Sequence, residues 1–166
     1  MLQLTKRTEY GLIALVHMVD RDGRFVSVRE ICERYPVPRR LVAEVLKDLC
    51  RTELVESQRG AAGGYALARS ADSITLGEVV AALEGAPALT SCEALAPARH
   101  GECGVEPTCP IRSPIHKIRQ RIWHLMENTS LRSLAHPESV SLGAAPPSTS
   151  FELELASASL ASPPLR

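Results

Sequence analysis

The sequence predicts a mainly α-helical chain with one β-hairpin. Three observations carry that prediction. Apolar residues recur at helical spacing in five stretches, two short extended runs flank a single glycine-rich turn, and two capping boxes mark helix starts.

The first helix covers residues 5–20, where Leu12, Ile13, Leu15, Val16 and Val19 recur on one face and Asp22-Gly23 supplies the stop. Ser27-Val28-Arg29-Glu30 reads as a capping box, with the serine oxygen accepting from the Glu30 amide and the glutamate reaching back to the serine amide. Behind it Val28, Ile31, Cys32 and Tyr35 form the inner face of a short second helix. Pro36-Val37-Pro38 breaks that helix, and Pro38 suits the first turn of the third, where a missing N–H costs nothing. Leu41, Val42, Val45, Leu46 and Leu49 line one side of the third helix, opposite Arg39, Arg40, Ala43, Lys47 and Arg51.

Two short helices joined by a tight turn, the second with a basic outer face, match a helix-turn-helix. Residues 54–58 and 65–68 read as strands around Arg59-Gly60-Ala61-Ala62-Gly63-Gly64, whose three glycines permit positive φ and close backbone approach. A hairpin directly after such a helix is a wing, so the predicted fold is a winged helix-turn-helix. Thr75-Leu76-Gly77-Glu78 is the second capping box; it opens a helix with Leu76, Val79, Val80 and Leu83 inside and Gly85 as its stop.

Residues 86–110 lack periodicity and hold three of the five cysteines. Ile111, Ile115, Ile118, Ile122 and Leu125 then step by 4, 3, 4 and 3, a heptad seam that predicts a long C-terminal dimerisation helix packed on its own copy. Beyond His136 serine, alanine and proline dominate, which predicts a disordered tail. The expected organisation is a DNA-binding domain over 1–85, a cysteine loop over 86–110, the dimerisation helix over 111–136 and the tail over 137–166.

The 166 residues carry 19 basic and 19 acidic side chains, but unevenly. Segment 1–72 has 12 basic and 10 acidic residues, 73–109 has 1 and 5, 110–136 has 5 and 1, and 137–166 has 1 and 3. Neutral bulk charge therefore does not exclude a polyanionic partner. No apolar run reaches the roughly 18 residues of a membrane span, and no signal-peptide core follows Lys6-Arg7, so a cytoplasmic protein without a membrane partner is expected.

Cys92, Cys103 and Cys109 form C-x10-C-x5-C in the aperiodic loop. Thiolates suit iron in Fe-S clusters and also zinc, and the spacing alone leaves iron–sulfur, zinc and plain thiol chemistry open. Cys32 and Cys50 fall on helix faces that belong to the core and read as packing residues. Catalysis finds no support: there is no Ser/His/Asp order or pair of pocket-forming acids, and the glycine-rich stretch is not a phosphate loop and precedes a strand. His17, His124 and His136 have no ligand partner and read as surface or packed histidines.

Together these features resemble the Rrf-two type winged-helix transcriptional regulators, the family of IscR-, NsrR-, RirA- and CymR-like repressors. The resemblance spans about residues 2–136. It rests on Leu4-Thr5-Lys6 with Tyr10, on the helix-turn-helix, on Arg59-Gly60-Ala61-Ala62-Gly63-Gly64-Tyr65, which is similar to the family's RGxxGGY wing, on Ile74-Thr75-Leu76-Gly77-Glu78-Val79-Val80, and on the three-cysteine loop before a long helix.

The resemblance implies a homodimeric transcription factor, usually a repressor, that binds double-stranded operator DNA. It further implies sensing of iron, redox state or nitric oxide through an iron–sulfur cluster, 2Fe-2S or 4Fe-4S, held by Cys92, Cys103 and Cys109. The family's fourth ligand is not a cysteine. Some members use a histidine three residues after the last cysteine, where this chain has Arg112, which cannot ligate; others use an acid near the start of the partner's first helix, where this chain has Glu9. Glu9 reads equally as a carboxylate favoured by the dipole of the first helical turn, and His116 and His100 are further candidates. The gap between Cys92 and Cys103 is longer than is usual in the family.

On DNA, Arg39 and Arg40 are expected in the major groove with Lys47 on the same helix, and Arg59 in a minor groove, beside Gly60, Gly63, Gly64 and Tyr65 of the wing. Taken singly, each arginine reads as a solvated surface charge; position changes that. The acid with which some members read sequence corresponds here to Ala43. The alternative is a cluster-free or zinc-binding winged-helix protein acting through thiol oxidation, a small ligand or a protein partner.

Overall fold

A computed structural model describes residues 3–21, 23–60, 62–85, 88–90, 105 and 108–139. The chain runs α1 (Lys6–Val19), α2 (Val28–Arg34), α3 (Arg39–Arg51), β1 (Val55–Gln58), β2 (Gly64–Leu67), α4 (Leu76–Glu84), α5 (Arg112–Glu127) and α6 (Leu131–Ala135), and a short 3-10 turn follows at Pro137–Ser139. Among the described residues no helix is long and apolar enough to cross a membrane. Cys92, Cys103 and the predicted tail beyond Ser139 lie outside the described residues.

Thr5 caps α1 by accepting from the Thr8 amide at 3.3 Å. The Glu84 carboxylate in turn accepts from the Thr5 amide (2.8 Å) and hydroxyl (2.9 Å), tying the end of α4 to the start of α1. The buried face of α1 is shifted from the predicted one: Leu15 and Val19 are buried as expected, but Ala14 and Met18 join them while Ile13 and Val16 stay partly exposed. Gly11 is the physical reason. A Cβ there would lie 2.9 Å from Leu83 Cδ1 and 3.0 Å from Val45 Cγ1, so α3 and α4 close on the side of small residues.

At α2 only half of the predicted capping box forms. The Ser27 hydroxyl accepts from the Glu30 amide at 3.1 Å, but the Glu30 carboxylate turns away to the Arg24 guanidinium at 2.5 Å. A charge-assisted bond to arginine outcompetes one to a neutral amide. Pro38 is likewise displaced by one position: it is the N-cap of α3, and its carbonyl accepts from the Val42 amide at 3.1 Å. Within α3, Val42, Val45, Leu46 and Leu49 are fully buried, each contributing about 1.5–3 kcal/mol of hydrophobic stabilisation.

β1 and β2 pair antiparallel from Val55↔Leu67 to Gln58↔Gly64. Val26 adds a bridge to Tyr65, with two backbone hydrogen bonds of 2.8 and 2.9 Å. The capping box of α4 is complete, because Thr75 accepts from the Glu78 amide at 3.1 Å and Glu78 accepts from the Thr75 amide at 2.9 Å. Gly85, at φ +81, ends α4 as expected.

The predicted helix over 111–136 is in fact two. α5 stops at Glu127 because the next side chains bond locally: Asn128 donates to the His124 carbonyl (2.7 Å), Thr129 to the Leu125 carbonyl (2.8 Å), and Ser130 caps α6 by accepting from the Ser133 amide (3.2 Å). The chain then returns to the body, where Leu131 is fully buried and its amide donates to the Ile74 carbonyl at 2.9 Å. α5 itself contains no buried residue. It approaches α4 where a Cβ on Gly77 would lie 3.1 Å from the Glu127 amide nitrogen, so the small residue permits the contact.

Candidate nucleic-acid interface and ligating residues

The turn after α2 presents the first residues of α3 to solvent. Arg39 and Lys47 are exposed, and the Arg40 side chain is 93% exposed while pairing with Glu44 at 3.0 Å. Among the described residues no side chain caps α3, so its first-turn amides are available as donors to an anion. Among the described residues no carboxylate pairs with Arg39, Lys47 or Arg59. The opposite end of α3 is held to the body by Asp48, which pairs with Arg7 of α1 and with Arg51 at 2.6 Å.

Glu44 and Asp48 were not singled out from the sequence. Glu44 had a signal, the i,i+4 spacing from Arg40. Arg7 and Asp48 are 41 positions apart, and no local pattern announces their contact.

Arg59 follows β1 and is exposed; Gly60 beside it has φ +114. Gly64 serves close approach, since a Cβ would lie 2.4 Å from the Val26 carbonyl oxygen and prevent the extra bridge. Tyr65 faces the other way. It packs partly buried against the core, its backbone is engaged by Val26, and burial pushes its phenol pKa up. The residue therefore anchors the base of the wing.

Behind α2, the His17 imidazole is 8% exposed, edge-on to Tyr35 at 5.6 Å and 3.6 Å from the Glu30 carboxylate. Burial, followed by the nearby Arg21, lowers its pKa. His17 is thus packed, as predicted, and His136 lies 3.0 Å from the Asp20 carboxylate.

Of the predicted ligands, Glu9 lies on α1, partly exposed, with its carboxylate 2.5 Å from Lys6 Nζ. Cys109 is a partly exposed thiol three positions ahead of α5. Cys92, Cys103 and His100 fall outside the described residues, and among those described no three His, Cys, Asp or Glu side chains gather into a metal-holding group. His116 is exposed on α5, 3.3 Å from Arg119. Cys32 and Cys50 pack on the core, as predicted. Burial raises the Cys50 pKa against an opposing hydrogen bond with Ser57, which disfavours the thiolate.

Residues 4–137 match the Rrf2 family, whose members are described as iron-dependent transcriptional regulators. The chain belongs to the Rrf2 family. Rrf2 proteins are DNA-binding transcriptional regulators rather than enzymes. Among solved Rrf2-like structures, CymR (YrzC), the global cysteine regulator of B. subtilis, is 27% identical, with a TM-score of 0.63 over 81% of this chain and 97% of that one. A transcriptional regulator from Listeria innocua is 24% identical, with a TM-score of 0.66 over 87% and 93% of the two chains. T. potens IscR is 22% identical, with a TM-score of 0.61 over 87% and 94%. The last two likenesses concern the fold.

Proposed function

We propose that this Rrf2 protein is a homodimeric repressor whose affinity for double-stranded operator DNA is set by an iron–sulfur cluster. One observation carries the reading: three cysteines occupy the segment that joins a winged-helix body to a helix whose apolar seam the described residues leave exposed. Cys92, Cys103 and Cys109 would hold the cluster, with Glu9 of the partner subunit as the non-cysteine ligand. The donor set fits the group: Cys109 offers a partly exposed thiol, and among the described residues the Glu9 carboxylate pairs with the exposed Lys6, which it can leave. When bound, the cluster supplies a centre whose state responds to iron, redox conditions or nitric oxide.

The chain's own residues supply DNA recognition. Arg39 and Arg40 enter the major groove from the N-terminal end of α3, with Lys47 neutralising phosphate. Arg59 reaches the minor groove, where Gly60, Gly63 and Gly64 let the backbone come close to phosphates. Dimerisation uses Ile111, Ile118 and Leu125, which recur every seven residues and are 58%, 48% and 56% exposed. In this reading 1–85 is the DNA-binding domain, reinforced by the return of 128–136, 86–110 is the cluster loop, and the protein acts in the cytoplasm.

Optical and EPR spectra of anaerobically purified protein test the cluster, and native mass spectrometry counts iron, sulfide and subunits together. Cys103→Ala should abolish the cluster and leave a folded dimer. A colourless, iron-free wild type overturns the sensor reading. The 27% identity to a global cysteine regulator favours a second reading, in which the cysteines act without a cluster through thiol oxidation or a small ligand. DNA binding by iron-free protein that responds to thiol oxidation or to cysteine would select it. Either way, Arg59→Ala should weaken operator binding by about 1–3 kcal/mol, measured by salt-controlled titration.

A further inference from the structure

The start of α1 is bonded to two other helices at once. Thr5, its N-cap, gives both its amide and its hydroxyl to one Glu84 oxygen at the end of α4, at 2.8 and 2.9 Å. Partial desolvation pushes the Glu84 carboxyl up, but hydrogen bonds from Thr8 and Thr5 outweigh it and hold the pKa below the usual carboxylate value, so an anion makes this clasp. Two residues after Thr5, Arg7 pairs with Asp48 of α3, which Arg51 also holds at 2.6 Å. One turn further on, the missing Cβ of Gly11 lets Leu83 of α4 and Val45 of α3 close in together. Residues 5–11 are therefore wedged between the end of α4 and the middle of α3.

What lies beyond each bond gives the arrangement its interest. Glu84 is the last residue of α4, and segment 86–110 with Cys92, Cys103 and Cys109 follows directly after Gly85. Asp48 belongs to the helix whose other end presents Arg39 and Arg40. From Asp48 to Arg40 the helix axis runs roughly 12 Å, so a tilt of about 5° about Asp48 shifts the Arg40 backbone by roughly 1 Å. A shift of that size spoils a bidentate hydrogen bond to a base edge. Glu9 stands on the same short piece of helix, partly exposed. α4 also packs on α3 directly, but apolar contacts are non-directional, whereas a carboxylate clasp and an ion pair fix register.

We propose that residues 5–11 of α1 are a strut that carries a displacement at the entrance of the cysteine segment to the recognition helix, entering through the Thr5–Glu84 clasp and leaving through the Arg7–Asp48 pair. The inference rests on the reading that the cysteine segment senses and α3 reads DNA. Glu84, Arg7 and Asp48 are positioning residues, which act on DNA affinity through the tilt of α3. A pull on Glu9 enters the same strut, so both routes from the cysteines converge on the Arg7–Asp48 pair.

A double-mutant cycle on the iron-free, thiol-reduced full-length protein tests this. Wild type, Glu84→Ala, Arg7→Gln and the double variant are titrated with a duplex that the wild type selects from a random-sequence pool, and hydrogen–deuterium exchange over 39–51 is read on the same four forms without DNA. Glu84 is exposed and Arg7 partly so, and neither belongs to the apolar core. Glu84→Ala should weaken DNA binding about tenfold in the wild-type background and less than about twofold beside Arg7→Gln, and it should speed exchange in α3 only while Arg7 is present. Asp48→Asn in place of Arg7→Gln should give the same pattern, and Arg7→Lys, which keeps the charge, should keep the tenfold effect. Equal losses in both backgrounds overturn the proposal, since they assign the coupling to direct packing of α4 on α3. A Glu84→Ala protein that binds DNA and exchanges like the wild type overturns it too. The cycle needs no iron, and the optical spectrum of anaerobic wild type reports the cluster separately, so failure of the strut and failure of the sensor reading are told apart.

Discussion

α3 and α5 are built from the same materials, an apolar stripe at helical spacing and a set of basic side chains, yet the protein treats them in opposite ways. In α3, four aliphatic residues are fully buried and the arginines at its start face solvent. In α5 no residue is buried, and isoleucines and a leucine stay about half exposed. The difference teaches that periodicity specifies a face but not what covers it. α3 follows a short turn after α2 and is clasped by α1 through Gly11 and the Arg7–Asp48 pair. α5 approaches the body where Gly77 admits Glu127, and the described residues leave Ile118 and Leu125 along its length exposed.

Mutations can break or sharpen this contrast. The largest effect is expected at Leu49→Ala, which should cost about 2–5 kcal/mol in urea unfolding because a fully buried side chain is lost from the core. Ile118→Glu in α5 should instead leave the body folded and weaken self-association by roughly 2 kcal/mol, about 30-fold in Kd, read by sedimentation. If Ile118→Glu unfolds the monomer as severely as Leu49→Ala, the two helices are not different in kind.

A smaller effect compares the two helix starts. Thr75→Ala removes a complete capping box and should cost about 1–2 kcal/mol, whereas Ser27→Ala removes half of one and should cost about 0.5–1 kcal/mol, both from thermal melts. Equal losses would mean that the return bond from Glu78 adds nothing.

The smallest expected effect is a pH slope at His17. Its folded pKa is lowered below the ordinary value near 6.5, so the unfolded chain binds more protons at mildly acidic pH. Stability should therefore fall as pH drops from about 7 through 6.5 towards the lowered folded value. His17→Gln should flatten that part of the profile, and an unchanged slope would assign it to other groups.

Much of this was legible locally. The helix-turn-helix and the α4 capping box follow from residues within one or two turns of each other, and so does the wing, to within a residue at each strand. The errors arose where a distant group intervened. Glu30 was drawn from its own serine by Arg24, and the buried face of α1 was rotated by what Gly11 let approach. The site was legible unevenly. Arg39, Arg40 and Arg59 were found exposed where their positions in the motif implied, whereas Tyr65, grouped with them by its signature, turned inward because its backbone pairs with Val26.

By itself the sequence determined the local plan: helical faces, the wing's glycines, three cysteines at 92, 103 and 109 and a seam repeating every seven residues. Each of these is a short-range pattern set by backbone geometry. Only the tertiary structure decided which faces are covered. It ended α5 at Glu127 and brought Leu131 back beneath Ile74, and it left Ile111, Ile118 and Leu125 without cover from the described residues. The physical reason is that burial depends on what else the chain brings within van der Waals reach, and contacts such as Arg7–Asp48 or Leu131–Ile74 link residues too far apart in sequence for any local period to record.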